Sequence, residues 1–220
     1  MDYNLTKESI NNIKFHLMKT TSQDHYNGWN NRTTYGYHSF NINNDIILGQ
    51  RQPWIRLNKI REHYDFTNKT VLDLGCNTGG MLFHLPELKK AIGLDFNKEC
   101  IECCNYISSV LNSNTEYLFK EQELNEFDLS LFLNKNNIKE IDVIFLLSLG
   151  SWVKNWELLY TGCSTICNTI ILETNNDKEG EPQLKLFKSL GFNIKIISEN
   201  SDDDTTGNIY RKTYIITKDI

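Results

Sequence analysis

The 220-residue sequence predicts an α/β fold of three layers, with a seven-stranded, mostly parallel sheet carrying one antiparallel strand between two layers of helices. Three observations lead there. Strand-like runs fall at 70–75, 90–95, 115–119, 141–147, 168–173, 193–198 and 208–217, and helix-like segments at 79–88, 97–112, 153–165 and 181–190 separate most of them. The run "IDVIFLL" is continuously apolar, as a central strand buried on both faces must be. The first strand-like run leads directly into a glycine-rich turn, "TVLDLGCNTGG". The last two runs lack a helix between them, so an antiparallel pair is expected there, with "SENSDDDTTGN" as a solvated connection.

Ahead of this regular part, residues 4–20 have apolar points at Ile10, Ile13, Phe15 and Leu17 that suit an amphipathic helix. Residues 21–36 are polar with scattered aromatics and read as loop. "YHSFNINNDIILG" alternates, breaks at Asn43-Asn44-Asp45 and resumes, which is a hairpin pattern, and Pro53 is placed to open a helix in "PWIRLNKIREHY". Two regions follow: 1–54, a helix, loop and hairpin expected to cover the site, and 55–220, the α/β core.

Composition narrows the partners. The formal net charge of −5 argues against gripping nucleic acid through broad phosphate neutralisation, although Arg51, Arg56, Lys59 and Arg61 cluster. No apolar run approaches the ~18 residues of a membrane span. "MDYNLTKESI" has no apolar signal core, so a cytoplasmic location is expected. Of six cysteines, Cys100 and Cys103 form a CxxC, but no second pair accompanies it and the helical spacing reads them as small buried hydrophobes rather than metal ligands.

The glycine stretch carries the chemistry. Gly75 lies where the chain leaves the strand and must turn; Gly79 and Gly80 admit a ligand and seat the next helix close to the sheet. No GK[ST] follows, so a P-loop is excluded, and Asn77 breaks the G-x-G-x-x-G of a dinucleotide site. Asp95 ends the second strand in "AIGLDF", where a carboxylate can accept both hydroxyls of a ribose.

"VLDLGCNTGG" followed by "AIGLDFN" resembles the first two signature segments of class I S-adenosylmethionine-dependent methyltransferases, and the resemblance covers roughly residues 55–218. It implies a Rossmann-like core that binds S-adenosylmethionine. It also implies that Asp73 orients the methionine ammonium, that Gly75 and Asn77 border the amino-acid moiety, and that Asp95 holds the ribose. By the same resemblance Phe96 lies against adenine or ribose, Glu121 and Gln122 frame adenine, and Leu147 and Ser148 meet the cofactor from the far side. Asn77 departs from the usual glycine, and a helix N-cap is its alternative role. "YHSFNINNDIILG" is similar to the segment before the core of the tRNA wobble-uridine carboxymethyltransferases, which implies that Gly49 and Arg51 approach the cofactor, Arg51 pairing its carboxylate. That family has Tyr-His where this sequence has Ser151-Trp152. Small size and short N-terminal cover resemble methyltransferases of bacterial capsule and surface-polysaccharide pathways.

The acceptor is expected at the carboxyl ends of the fourth and fifth strands and under the N-terminal segment. Tyr35, Tyr37, Ser151, Trp152, Asn175 and Asn176 are available there, and His38 and Glu173 are the candidate catalytic bases. A small polar, oxygen-bearing acceptor suits this set. A cofactor-binding module without catalysis is the rival reading, and the sequence leaves the oligomeric state open.

Overall fold

The computed structural model of the protein describes residues 5–21, 35–42, 45–205, 207 and 210–218. The Asn43-Asn44 turn and most of the polar 21–36 stretch lie outside them. In chain order the elements are α1 (Lys7–Lys19), β1 (Phe40–Ile42), β2 (Asp45–Ile47), α2 (Pro53–Arg61), β3 (Thr70–Leu74), α3 (Gly80–Phe83), β4 (Lys90–Asp95), α4 (Lys98–Val110), β5 (Glu116–Glu121), α5 (Leu129–Lys135), β6 (Val143–Leu147), α6 (Trp156–Ile166), β7 (Thr169–Glu173), α7 (Asp177–Ser189), β8 (Asn193–Ser198) and β9 (Thr213–Thr217).

Seven strands form one sheet in the order β5-β4-β3-β6-β7-β9-β8. The pairs from β5 to β7 are parallel, and β9 runs antiparallel to both β7 and β8. This is the sheet expected from the sequence, with β9 as its antiparallel strand. The pleat sends alternate side chains to opposite faces. Val71, Ala91 and Phe145 join one core with Ile10, Leu17, Leu57 and Phe83, while Leu72, Leu74, Leu94 and Leu146 join another with Phe132, Tyr160 and Phe187. The three layers follow from that division.

Local chemistry sets the helix ends. Asn97, Asp128 and Asn176 each accept a backbone N–H from the residue three ahead, capping α4, α5 and α7. In α7, the Asn176 side-chain amide also donates to Glu179 Oε1, a reciprocal contact at the cap that places the helix start ahead of the expected residue 181. Helix α3 is one turn only, shorter than the expected 79–88, because the chain turns again at Leu85-Pro86. Helix α1 packs on α4, with His16 stacked on Tyr106 at 4.6 Å.

Gly93 in the middle of β4 is needed for steric reasons alone. A Cβ there would stand 2.6 Å from the Phe119 ring and 2.8 Å from Cys76 Sγ. Gly93→Ala is expected to lower unfolding free energy by about 1–3 kcal/mol through overpacking beside the glycine turn. Urea titration checks it, and an unchanged midpoint would mean the ring and thiol move aside freely.

Candidate active site at the carboxyl ends of the central strands

Strand order reverses at β3: the chain builds β4 and β5 outward on one side, then returns to build β6 and β7 on the other, and a crevice opens where the two central strands end. A cavity of about 510 Å³ occupies that place, with Gly75, Asn77, Asp95, Phe96, Leu147 and Ser148 among its walls. It continues past the tips of β6 and β7 to Tyr37, Trp152, Asn175, Glu179 and Arg211.

The turn after β3 is built from left-handed residues. Gly75 has φ 79°, Asn77 49° and Gly79 71°. Asparagine tolerates this region better than other residues with a side chain, which is the reason it can stand where the family pattern has glycine. Its amide N–H donates to Asp95 Oδ2 at 2.8 Å, and its own Oδ1 accepts from Thr78 N at 2.8 Å. Gly79, not Asn77, occupies the N-cap of α3. Asp95 Oδ1 accepts from Asn97 N at 2.9 Å, so both carboxylate oxygens are fixed by backbone N–H groups. Burial raises Asp95 to about 6 against those two hydrogen bonds. Asp73, buried within β3 two residues before Gly75, is raised further, to about 8, by burial and then by the Asp95 charge.

The N-terminal segment is tied to the site by isolated backbone bridges, His38 with Arg51 and Arg51 with Asp204. Ser39 N donates to Arg51 O and Arg51 N to Tyr37 O, both at 2.7 Å; Gln52 N donates to Asp203 O at 2.9 Å. His38 is buried against α3, where a Cβ on Gly80 would lie 2.5 Å from its Cβ and Cγ. Its Nδ1 accepts from Gly80 N at 3.2 Å, and burial, then the Arg51 charge, lower it to about 3. His38 is therefore neutral and does not line the cavity.

Arg51 is 0% exposed. Its guanidinium bonds Asp203 at 2.8 and 3.0 Å and Glu173 at 3.0 Å. Arg56 joins it, 2.9 Å from Asp203 and 3.1 Å from Glu173. Burial opposes the Arg51 charge, but Glu173 first and then Tyr37 and Asp203 hold its pKa above the ordinary value. Arg51 is expected from the sequence to pair a cofactor carboxylate; in the structure its Nε and Nη2 bond protein carboxylates, Nη1 stands 3.6 Å from Asp204, and the side chain is enclosed off the cavity wall. Glu173 is enclosed for the same reason, with Oε1 accepting from Ser148 Oγ at 2.5 Å. The connection expected to be solvated turns inward here: Ser201, Asp203 and Asp204 are buried because these arginines need acids.

The structure thus brings Gly75, Asn77, Asp95, Phe96, Leu147 and Ser148 together around one cavity. Asp73 sits just behind it, while His38, Arg51 and Glu173 form its buried backing. Glu121 and Gln122 lie at the end of β5 off the cavity wall, and the next residues, Glu123 to Asn125, take that position. Arg211 and Glu179 were not singled out from the sequence. The N-x-x-E spacing of a capping box was a usable signal for Glu179; nothing local marked Arg211.

No protein-family model matches the chain. A tRNA U34 carboxymethyltransferase from Nautilia profundicola is 33% identical over 84 residues, or 36% of this chain and 27% of that protein, so the match spans about a quarter of the relative's length. The N-terminal domain of EvdMO1, crystallised with SAH bound, superposes with a TM-score of 0.56 at 13% identity over 77% of this chain and 82% of the domain. Against the longer EvdMO1 chain the coverage falls to 41%. Magnesium protoporphyrin IX methyltransferase (ChlM) from Synechocystis PCC 6803, with bound SAM, gives 0.54 at 13% identity over 76% and 77% of the two chains. These likenesses establish the fold. The chain is built as the three-layer, Rossmann-like fold of the class I methyltransferases.

Removing the Arg51 charge would leave three buried acids partly uncompensated. Arg51→Met is expected to cost about 3–5 kcal/mol of stability, read by denaturant unfolding. A loss below about 1 kcal/mol would show that the cluster is not a fastening of the fold.

Proposed function

We propose that the protein is an S-adenosylmethionine-dependent methyltransferase that O-methylates a small polar acceptor (a sugar, nucleotide sugar or phosphoramidate-type group) in capsular polysaccharide biosynthesis. The observation that carries the reading is the pairing of a bare backbone turn at Gly75 with the Asp95 carboxylate on one cavity wall. Gly75 sits at φ 79°, where any side chain is strained, and a Cβ there would also stand 3.0 Å from Leu149 Cδ1. Each Asp95 oxygen accepts one backbone N–H and keeps a further lone pair for a ribose hydroxyl. Phe96, 45% exposed at the cavity edge, offers a flat face to adenine. Glu123 to Asn125 would frame the base in place of Glu121 and Gln122. Asp73 would meet the methionine ammonium.

When bound, S-adenosylmethionine supplies an electrophilic methyl carbon for in-line displacement, in which alignment and exclusion of water count heavily. Leu147, Leu149 and Val153 give the cavity an apolar side against water, while Tyr37, Ser151 and Asn175 offer polar atoms to orient an acceptor. In this reading His38 positions the start of α3 and Glu173 positions Ser148; both act through other residues. Arg51 holds Glu173 in turn. Of the cover expected from segment 1–54, residues 35–42 and 45–51 are the described part beside the site, and Tyr37 among them lines the cavity. Support for a sugar comes from EvdMO1, whose N-terminal domain was also crystallised in the presence of SAH and D-fucose.

A tRNA substrate is the second reading, favoured by the Nautilia relative. The basic cluster that would serve it is engaged elsewhere: Arg51 and Arg56 are buried among acids, Lys59 bonds Asp202, and Arg61 bonds Glu87. Among the described residues no helix is long and apolar enough to cross a membrane.

Calorimetry with S-adenosylmethionine and S-adenosylhomocysteine is expected to show binding that Asp95→Ala weakens at least about tenfold. NAD binding without a response to either would overturn the reading in favour of a dehydrogenase. Labelled methyl transfer into pooled sugar nucleotides rather than bulk tRNA is expected, and tRNA labelling would establish the second reading instead. Absence of transfer to any fraction would favour a binding module.

Protonation gives a separate test. A folded pKa raised to about 8 means that the fold holds a proton on Asp73 at pH 7. Stability from this group is full below its unfolded value and is lost as pH rises through 8. A cofactor ammonium favours the charged carboxylate, so binding near pH 7 should release approaching one proton. Calorimetry in buffers of different ionisation enthalpy measures this, and Asp73→Asn should abolish it. Release that survives the substitution would remove Asp73 from the role.

A further inference from the structure

We infer that the acceptor carries an acidic group, a carboxylate or phosphate, and that Arg211 with Tyr37 binds it. The inference rests on the methyltransferase reading for the identity of the other half of the cavity. Among the described residues that line the cavity, Arg211 is the one cation, whereas Asp95, Glu123 and Glu179 supply negative charge elsewhere on its walls. A cavity lined in this way has one place for an anion.

The guanidinium is buried yet incompletely used. Its hydrogen bonds to Tyr37 Oη at 3.2 Å and Ser148 Oγ at 3.1 Å both run through Nη1, and Nε has no partner. Glu173 Oε1 stands 3.5 Å away, but the same carboxylate is already held by Arg51 and Arg56 through Oε2. An arginine fork has five N–H donors in a planar array matched to carboxylate and phosphate oxygens. Here Nη1 anchors the side chain to the protein and Nε is enclosed, while Nη2 makes no hydrogen bond to a described residue and is the donor left to a ligand in the cavity that Arg211 lines.

Donor accounting at the neighbours points the same way. Ser148 Oγ donates its proton to Glu173 and accepts from Arg211, so it is spent as a fixed anchor. Its backbone sits at φ 56°, a strained conformation for serine that keeps this hydroxyl at the tip of β6. Tyr37 Oη accepts from Arg211, which leaves its own O–H to donate, and Tyr37 lines the cavity beside the guanidinium. A cation and a hydroxyl donor therefore converge on one wall.

Position assigns the anion to the acceptor rather than to the cofactor. Arg211 precedes β9 and bonds the end of β6, whereas Asp95 ends β4 on the other side of β3. The cation and the proposed ribose acid thus lie toward opposite ends of the cavity, with the tips of β3 and β6 between them.

The test titrates glucose 1-phosphate, glucuronate and glucose into both the cofactor-free and the S-adenosylhomocysteine-saturated protein. Each acid is expected to bind at least about tenfold more tightly than glucose. Arg211→Gln should bring the three within about twofold while S-adenosylhomocysteine affinity stays within about twofold. Arg211→Lys, which keeps the charge and loses the fork, should retain several-fold discrimination, and Tyr37→Phe should lose part of it. Acids that bind no better than glucose, or discrimination that survives Arg211→Gln, overturn the proposal. So does a tenfold loss of S-adenosylhomocysteine affinity in Arg211→Gln that 5′-methylthioadenosine, lacking the carboxylate, does not share, because the cation would then serve the cofactor. Wild-type protein that fails to bind S-adenosylhomocysteine at all would sink the methyltransferase reading instead, and the acid titrations of cofactor-free protein would still decide the subsite.

Discussion

The Arg51 guanidinium, fully buried among Glu173, Asp203 and Asp204, is the constraint on which the rest of the structure hangs. A charge taken out of water must be met by opposite charge, and here the cluster joins three distant stretches of chain, Arg51's own and two that supply its partners. Arg51 belongs to the stretch between β2 and α2, Glu173 to the tip of β7, and the two aspartates to the connection between β8 and β9. Fastening them together fixes Tyr37 and the approach to β9 against the carboxyl edge of the sheet. Specific hydrogen bonds make that arrangement a single geometry, which a greasy contact of equal area would not require.

The two halves of the cavity are consequently made in different ways. One half is backbone: a left-handed turn, two amides and the carboxylate they hold, all within a βαβ unit of about thirty residues. Such a unit positions its ligand groups as soon as its strands pair. The other half is side chains drawn from residues 37, 148, 175, 179 and 211, each delivered by a different element. It depends on long-range packing, and the Arg51 cluster supplies much of that packing with its direction.

This difference explains what could be read from the sequence. The seven strands and their parallel order were legible because apolar runs alternate with helical spacing, and Asp95 was legible because strand end and glycine turn lie close in sequence. Asn77 was half legible: its tolerance of a positive φ is a residue property, but which donor it would present depends on the fold. Helix α5 escaped notice because it is short, with apolar points only at Leu129, Phe132 and Leu133 of its buried face. Asp203 looked like a solvated loop acid, since nothing nearby in sequence announces the arginines it meets about 150 residues away. Arg211 was invisible for the same reason, and Arg51, read as reaching a ligand, is instead held by acids whose position only the folded chain reveals.

Strand β9 lies between β7 and β8, although it follows both in sequence. A nascent chain emerging from the ribosome therefore cannot close this edge of its sheet when β8 appears, because the slot beside β7 is reserved for residues 213–217. Until they arrive, Ile170 and Leu172 on β7 have an open hydrogen-bonding edge, and the acids that balance Arg51 have no fixed place. The last strand of this sheet to be synthesised is thus an interior one, so the Arg211 side of the cavity is assembled late and the edge of β7 stays open to pairing until then.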